Sequence, residues 1–485
     1  MMAELPEVVA VTLPTIQELV EHALSVSSAE GCIVIAEERT EANLRWAGNE
    51  LTTNGQMRSR SLTVISTVSS GGKDGDDDEP GVAAGVVTRA VTALADVDGL
   101  VAASEKAARA SEPAEDAAPL VQPSAAGPGN AAGWDVPPAL TTIEVFASFA
   151  PALGAAFTRA EAAGQLLYGF AEHVMTSTYL GSSTGLRLRH DQPTGRVELN
   201  GKSADLSRSA WVGQQTRDFS DIDVSQLTSE IDRRLGWAKN RIDLPAGRYE
   251  TVLPPTAVAD LLIYAYWTAS ARDAEEGRNV FAAGDGQTKL GQQLSPLPLT
   301  LRSDPDEPGL ECAPFTIAQS SQAGMVSIFD NGAPTPPVEW LAEGVLRNLM
   351  RTRSWAARTG AEPRLPVDNL ILEAGGTRSL EDMIAATQRG LLVTCLWYIR
   401  EVDPQTLLLT GLTRDGVYLI EDGVVTGVVN NFRFNESPID LLGRVSEVGR
   451  TERTLPREWN DYFSRTAMPA LRIPDFNMST VSQAS

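Results

Sequence analysis

Histidine and cysteine are the scarce residues of this chain, three of each in 485 positions. A hydrolytic zinc site needs two or three His, or His with Cys or carboxylate, around an open position for water. His22, His173 and His190 lie too far apart in sequence for one helical turn to carry a pair. Cys32, Cys312 and Cys395 are odd in number and widely spaced, which argues against a disulfide framework and for a reducing compartment. Cys32 and Cys395 sit in apolar runs and read as core residues. No run of about 18 apolar residues exists to span a membrane. The opening Met1-Met2-Ala3-Glu4-Leu5-Pro6-Glu7 lacks the basic region of a secretory signal. Basic residues are outnumbered 40 to 63, for a net charge of −23, and no Lys/Arg run interrupts that balance. Such a surface repels phosphate backbones and anionic membranes. P-loop and dinucleotide fingerprints are missing too. The expectation is a soluble cytoplasmic protein with neither nucleic acid nor membrane as partner.

What is present suits a globular protein: 42% of residues are hydrophobic and 21% charged. The length allows two to four domains. Thr15 and Glu18 have capping-box spacing, and Ile16, Leu19, Val20, Ala23 and Leu24 follow a helical period. Strands are expected over 32–36, 43–47 and 62–68, with a turn at Gly48-Asn49. The acidic stretch 71–80 reads as a loop, 86–110 as a helix, and the Ala/Pro/Gly-rich 111–138 as a mobile or irregular linker. A helix over 143–163 is expected to bend near Pro151. Residues 166–180, 186–190 and 197–199 read as strands of a meander, with Asp191-Gln192-Pro193-Thr194-Gly195 as a turn. A helix over 227–238 closes this part.

Beyond a boundary near 242–247, a strand over 249–253 and a helix over 256–271 are expected. Ser379 and Asp382 fit a capping box for a helix over 379–389, with Gly390 as its stop. A strand over 391–399 follows, and Glu421-Asp422-Gly423 marks a hairpin between 417–420 and 424–429. The fold class is α+β in two domains: an N-terminal α/β domain, 1–241, with a meander-like sheet, and a β-rich C-terminal domain, 242–485.

Three strings invite chemistry. Gly181-Ser182-Ser183-Thr184-Gly185 matches G-x-S-x-G, yet a nucleophile elbow needs a helix after it, and Leu186-Arg187-Leu188-Arg189-His190 alternates like a strand. A hairpin loop fits better. Asp74-Gly75-Asp76-Asp77-Asp78-Glu79 has the wrong residues at the sixth and twelfth positions of an EF-hand loop and reads as a solvated acidic loop. His173 shares a strand face with Leu167, Gly169, Ala171 and Met175. A site joining His173, His190 and a distant Cys competes there with plain core and surface histidines.

The stretch Gly375-Gly376-Thr377-Arg378-Ser379-Leu380-Glu381-Asp382-Met383, followed by Arg389-Gly390-Leu391-Leu392-Val393-Thr394-Cys395-Leu396-Trp397, resembles the TldD/PmbA family of peptidase-associated proteins. Residues 43–54 and 62–65 are similar to that family's early strand pair, Asp403-Pro404 to its turn, 416–427 to its hairpin and 467–478 to its closing strand. The resemblance implies a two-domain subunit and a pair. A TldD-type member carries His-Glu-x-x-x-His on a helix and a late Cys, which hold zinc; the PmbA (TldE) type lacks them. By register the motif falls on Leu261-Leu262-Ile263-Tyr264-Ala265-Tyr266-Trp267-Thr268. Ile263 and Thr268 stand where the histidines belong, and Tyr264 where the glutamate belongs. Isoleucine offers no lone pair, a free phenol has a pKa near ~10, and no cysteine follows Cys395.

The resemblance therefore implies a PmbA (TldE)-type subunit with no catalytic residues and no metal of its own. Zinc is expected in a TldD-like partner subunit, and an unfolded peptide or modified-peptide precursor as substrate. Gly375, Gly376, Thr377 and Ser379 are candidates for peptide or partner contact, or else a tight loop before a capped helix. Two other readings stand beside this one. The chain could be an independent hydrolase using Ser183 or a carboxylate pair, or a non-enzymatic regulator, since some family members are labelled modulators of DNA gyrase.

Overall fold

A computed structural model describes residues 14–70, 81–91, 93–322 and 324–482. The fold is α+β. Thr15 caps the helix Ile16–Val26 with the reciprocal Glu18 bond in place, so two orphan backbone donors are satisfied locally. The chain then runs up Gly31–Ala47, turns through Gly48 and Asn49, both at positive φ, and returns along Glu50–Ser70. Two residues of left-handed backbone match the twist of a two-residue hairpin. The sheet has six antiparallel strands, in the order Gly81–Ala90, Glu50–Ser70, Gly31–Ala47, Gln165–Ser182, Arg187–Ser203, Ser209–Thr216.

Four helices cover one face of this sheet. Ile16–Val26 and Leu94–Ala110 bury Leu19, Val20, Leu100 and Val101 against Cys32, Val34, Leu62 and Val64 at one end. Phe149–Ala162 and Val224–Trp237 bury Leu153, Phe157, Ile231 and Leu235 against Leu44, Trp46, Val197 and Leu199 at the other. On the opposite face Ile33, Ile35, Ile65 and Leu180 meet Phe315, Ile328, Phe329 and Leu365 from the second half of the chain.

That second half is organised around Thr466–Val481. This strand pairs antiparallel with Gly247–Leu253, Glu447–Thr454 and Phe432–Glu436, and parallel with Leu370–Glu373. The helix Pro255–Trp267 is apolar on nearly every side and lies in its largest core cluster, as an all-round hydrophobic helix must. No helix among the described residues is long and apolar enough to cross a membrane.

Several sequence expectations need correction. Residues 32–36 and 43–47 are one strand, because Glu38 between them is buried and held by Arg58 and Arg60 rather than exposed in a loop. Val86 and Val87 belong to the strand Gly81–Ala90, and the helix starts at Leu94; residues 81–90 pair with 61–70, and that pairing overrides local propensity. Pro151 sits in the first turn of Phe149–Ala162, where its missing N–H costs nothing, and the irregularity falls before it, after the 3-10 turn Ile143–Phe146. Asp191 to Gly195 form no turn: Arg187–Ser203 runs straight through, and His190 is mid-strand. Pro193 lies beyond the stretch paired with Ser209–Thr216, on a length with a neighbour on one side only, where a missing donor is tolerated. The helix after Ser379 ends at Ala385, and Gly390 is inside the strand Arg389–Val393. A Cβ there would meet Glu250 O at 2.7 Å, so Gly390 serves strand packing rather than a helix stop. The strand expected over 391–399 breaks at Thr394-Cys395 into two.

The described residues of 111–138 are irregular apart from short turns at Pro123–Ala126 and Gly127–Gly129. They are pinned rather than loose. Val121 is buried, Arg353 donates to Pro119 O, Arg358 to Glu115 O, and Arg272 pairs with Glu115. The acidic residues 74–79 and the opening Met1 to Glu7 lie outside the described residues.

Candidate functional site

The helix Pro255–Trp267 carries Ile263 and Tyr264, which the resemblance sets against the zinc motif, and Thr268 follows its last residue. Pro255 opens it, at the one helical position where a missing N–H is harmless. Ile263 points into the core with no exposed surface. Tyr264 is half-buried, its ring 5.7 Å from that of Trp459. Burial, and then the nearby Glu401 carboxylate, push its phenol above the ordinary tyrosine range, so even less of it is ionised near neutral pH than of a free phenol. Thr268 ends the helix, its hydroxyl donating back to Tyr264 O and Ala265 O at 3.2 and 3.0 Å. These side chains do not fit a zinc ion.

The histidines are committed elsewhere. His22 meets Asp98 at 2.7 Å. The two ring nitrogens of His173 meet Thr141 Oγ1 and Arg217 O at 2.7 and 2.6 Å, and His190 meets Gln192. Burial pushes the thiols of Cys32 and Cys395 up to about 11 and about 12, disfavouring the thiolate that metal binding and attack require. Among the described residues no group of three His, Cys, Asp or Glu is placed to hold a metal. Ser183 sits in the hairpin between Gln165–Ser182 and Arg187–Ser203, its hydroxyl accepting from Cys32 N–H at 3.0 Å. No histidine is hydrogen-bonded to it among the described residues.

Asp260 is a residue that sequence reasoning passed over. It is fully buried in the same helix. Its Oδ1 accepts from Glu458 N–H at 2.8 Å and its carbonyl from Trp459 Nε1–H at 2.9 Å, while Oδ2 has no partner. Burial pushes this carboxyl well above the usual range. Glu458, positioned by that bond, accepts from the N–H groups of Tyr398 and Ile399 at 3.0 and 3.1 Å. A lone acid in an apolar helix was the signal that could have found it.

Open space adjoins both ends of the helix. At its start a cleft of about 610 Å³ separates the two halves of the chain. Its walls are Trp211 to Gln214 from the edge strand Ser209–Thr216, Glu452 to Thr454 from the strand Glu447–Thr454, and Pro254, Pro255 and Thr256. Each of those strands has a ladder partner on one side only. The charges lining the cleft are paired: Glu230 with Arg233 and Arg234, Arg453 with Asp221, Glu452 with Arg450. At the far end a groove of 340 Å³ is lined by Trp267, Phe315, Met325, Tyr462 and Phe463, with the buried, unpartnered hydroxyl of Thr316. A polar cleft between strand edges suits an extended backbone, and an aromatic groove suits an apolar side chain.

Gly375 to Ser379 lie elsewhere, against the strand Glu447–Thr454. Gly375 has φ +68, and a Cβ on Gly376 would meet Gly449 O at 2.3 Å and Val448 O at 2.4 Å. Ser379 caps Leu380–Ala385 with Asp382 reciprocating. Thr377 is exposed and takes no part in the cap. The local geometry is that of a tight loop laid on a strand before a capped helix.

This architecture, a helix-covered antiparallel sheet joined to a larger β-rich half, is shared with solved structures. TldE from Thermococcus kodakarensis matches with a TM-score of 0.75 at 17% identity, over 95% of this chain and 98% of that one. A proposed modulator of DNA gyrase from Bacteroides thetaiotaomicron matches at 0.72 and 17%, over 96% and 98%. A second from Thermotoga maritima matches at 0.70 and 16%, over 96% and 100%. No curated protein matches in sequence. Residues 246–480 of this chain match the PmbA/TldA metallopeptidase C-terminal domain.

Proposed function

We propose that this chain is the non-catalytic subunit of a TldD/TldE-like metalloprotease complex of the cytoplasm, acting on unfolded peptides or modified-peptide precursors. A zinc-bearing TldD-like subunit supplies the hydrolytic centre, and this chain helps hold the peptide. The observation that carries the reading is the helix Pro255–Trp267. Ile263 has no lone pair, burial keeps the Tyr264 phenol protonated and the Thr268 hydroxyl is turned back onto the helix, yet the helix is flanked by a cleft between two strand edges and by an aromatic groove. Main-chain hydrogen bonds at a strand edge hold a peptide whatever its sequence, which suits unfolded substrates.

The test is peptidase activity on an unstructured peptide. The chain alone is expected to be inactive, and to become part of an active, chelator-sensitive assembly on adding the TldD-like subunit. Chelator-sensitive cleavage by the purified chain alone would overturn the reading. So would an active assembly whose rate does not change when this chain is left out.

A further inference from the structure

The strand Glu50–Ser70 is paired on both sides over only half its length. Residues 61–70 lie between the strands Gly31–Ala47 and Gly81–Ala90. Residues 50–59 pair with Gly31–Ala47 alone, and among the described residues no strand pairs with their outer edge. The direction of that edge's bonding groups follows from its neighbour. Val91 N–H donates to Arg60 O, so with a period of two the backbone groups of Arg58, Gln56 and Asn54 also point outward.

Edges of this kind are normally blunted by lysine, proline, inward charge or shortness. Leu51-Thr52-Thr53-Asn54-Gly55-Gln56-Met57 has no charge and no proline. Leu51 and Met57 are 52% and 54% exposed. One irregularity, a register shift opposite Arg45 and Trp46, leaves Thr52 unpaired near the strand's start. Charge lies only at the two ends: Glu50 at the start, and Arg58 and Arg60 at the finish, both held by the buried Glu38.

We propose that residues 50–59 form an interface with a second copy of this chain, pairing antiparallel about a two-fold axis near Gly55 and joining two six-stranded sheets into one. Antiparallel pairing sets Glu50 of each copy beside the basic end of the other, and two-fold symmetry makes that contact twice. A parallel neighbour would set like charge beside like. On a chain of net charge −23, this edge lets two copies meet without acid facing acid. About ten residues a side is fewer than the roughly 20–30 of a standard interface, so the dimer is expected to dissociate on dilution. The inference does not depend on the proposed peptidase role.

The experiment is sedimentation equilibrium of the full chain over a concentration series, beside Gln56→Pro. The N–H of residue 56 points outward, so proline removes a donor from the open edge and none from the existing ladder. The wild-type chain is expected to dimerise and Gln56→Pro to remain monomeric with unchanged far-UV circular dichroism. Should Gln56→Pro lose its fold, Thr53→Glu places one new carboxylate from each copy, opposite Met57 of the other, inside the otherwise uncharged middle of the interface without touching the backbone, and monomerisation is again expected. A wild-type chain that is monomeric at every concentration overturns the inference, including one that pairs only with a zinc-bearing subunit. A dimer untouched by the folded variants overturns it equally.

Discussion

The two sheets treat their free edges differently. In the C-terminal half, the strand Glu447–Thr454 is overlaid by the loop through Gly375 and Gly376, with Arg450 N–H donating to Arg378 O at 2.8 Å. The strand Leu396–Asp403 has a ladder partner on one side, and Glu458 takes the N–H groups of Tyr398 and Ile399. In the N-terminal half, residues 50–59 carry no such cover among the described residues. An open strand edge is a template for pairing. A chain that covers parts of its edges with a loop and a carboxylate in one half, and leaves about ten residues bare in the other, offers another strand a place to pair there.

The contrast breaks most visibly at Gly376. A Val there would place Cβ within hard contact of the carbonyls of Val448 and Gly449, both backbone atoms that cannot swing aside. Gly376→Val is expected to cost about 3 kcal/mol, at the upper end of overpacking effects, read as a lower midpoint in urea. A midpoint equal to wild type would mean that the loop does not lie on the strand. Next in size is Glu458→Ala, which strips the acceptor from Tyr398 and Ile399. An unpaired buried donor costs roughly 1–3 kcal/mol, and Tyr398 is partly exposed, so about 2 kcal/mol is expected in the same assay. Hydrogen exchange at those two amides should rise together; unchanged protection would argue that Glu458 is not their cap. Ser379→Ala removes the cap of Leu380–Ala385, which continues the covering loop, and about 1 kcal/mol is expected.

The covering devices divide by how much of them a sequence can display. The capping boxes Thr15/Glu18 and Ser379/Asp382 and the turn at Asp422-Gly423 are local, and each forms as its spacing implies. Asp191 to Gly195 carries equally strong local turn chemistry and is strand, because its pairing with Gln165–Ser182 decides. Val86 and Val87 read locally as helix and are strand for the same reason, their pairing with Ile65 and Val64. At the site, the side chains on the helix Pro255–Trp267 were legible because their chemistry is a property of residue type: isoleucine cannot bind zinc in any fold. Asp260 showed in the sequence only as a lone acid in an apolar helix, while the role of Glu458 and the aromatic groove were not legible, since each depends on contacts between residues far apart in sequence yet adjacent in space. A bare edge shows least of all. Residues 50–59 look like any polar strand until its neighbours are counted.

The smallest expected effect sharpens the comparison most. Thr53 lies on the bare edge, opposite Arg45 in the adjoining strand. It is exposed and makes no side-chain hydrogen bond among the described residues. A glutamate there meets an arginine across the strand pair, a favourable neighbour worth a few tenths of a kcal/mol, and disturbs no packing. At a dilution where the wild-type chain is monomeric, Thr53→Glu is expected to move stability by less than about 0.5 kcal/mol, the usual range for surface changes. Stability becomes concentration-dependent when the folded state self-associates. At high concentration the wild type should therefore gain in urea midpoint while Thr53→Glu does not. A large loss at dilution would show that this edge supports the monomer's own fold, and the difference between the covered and the bare edge would then no longer separate internal structure from a surface kept for a partner.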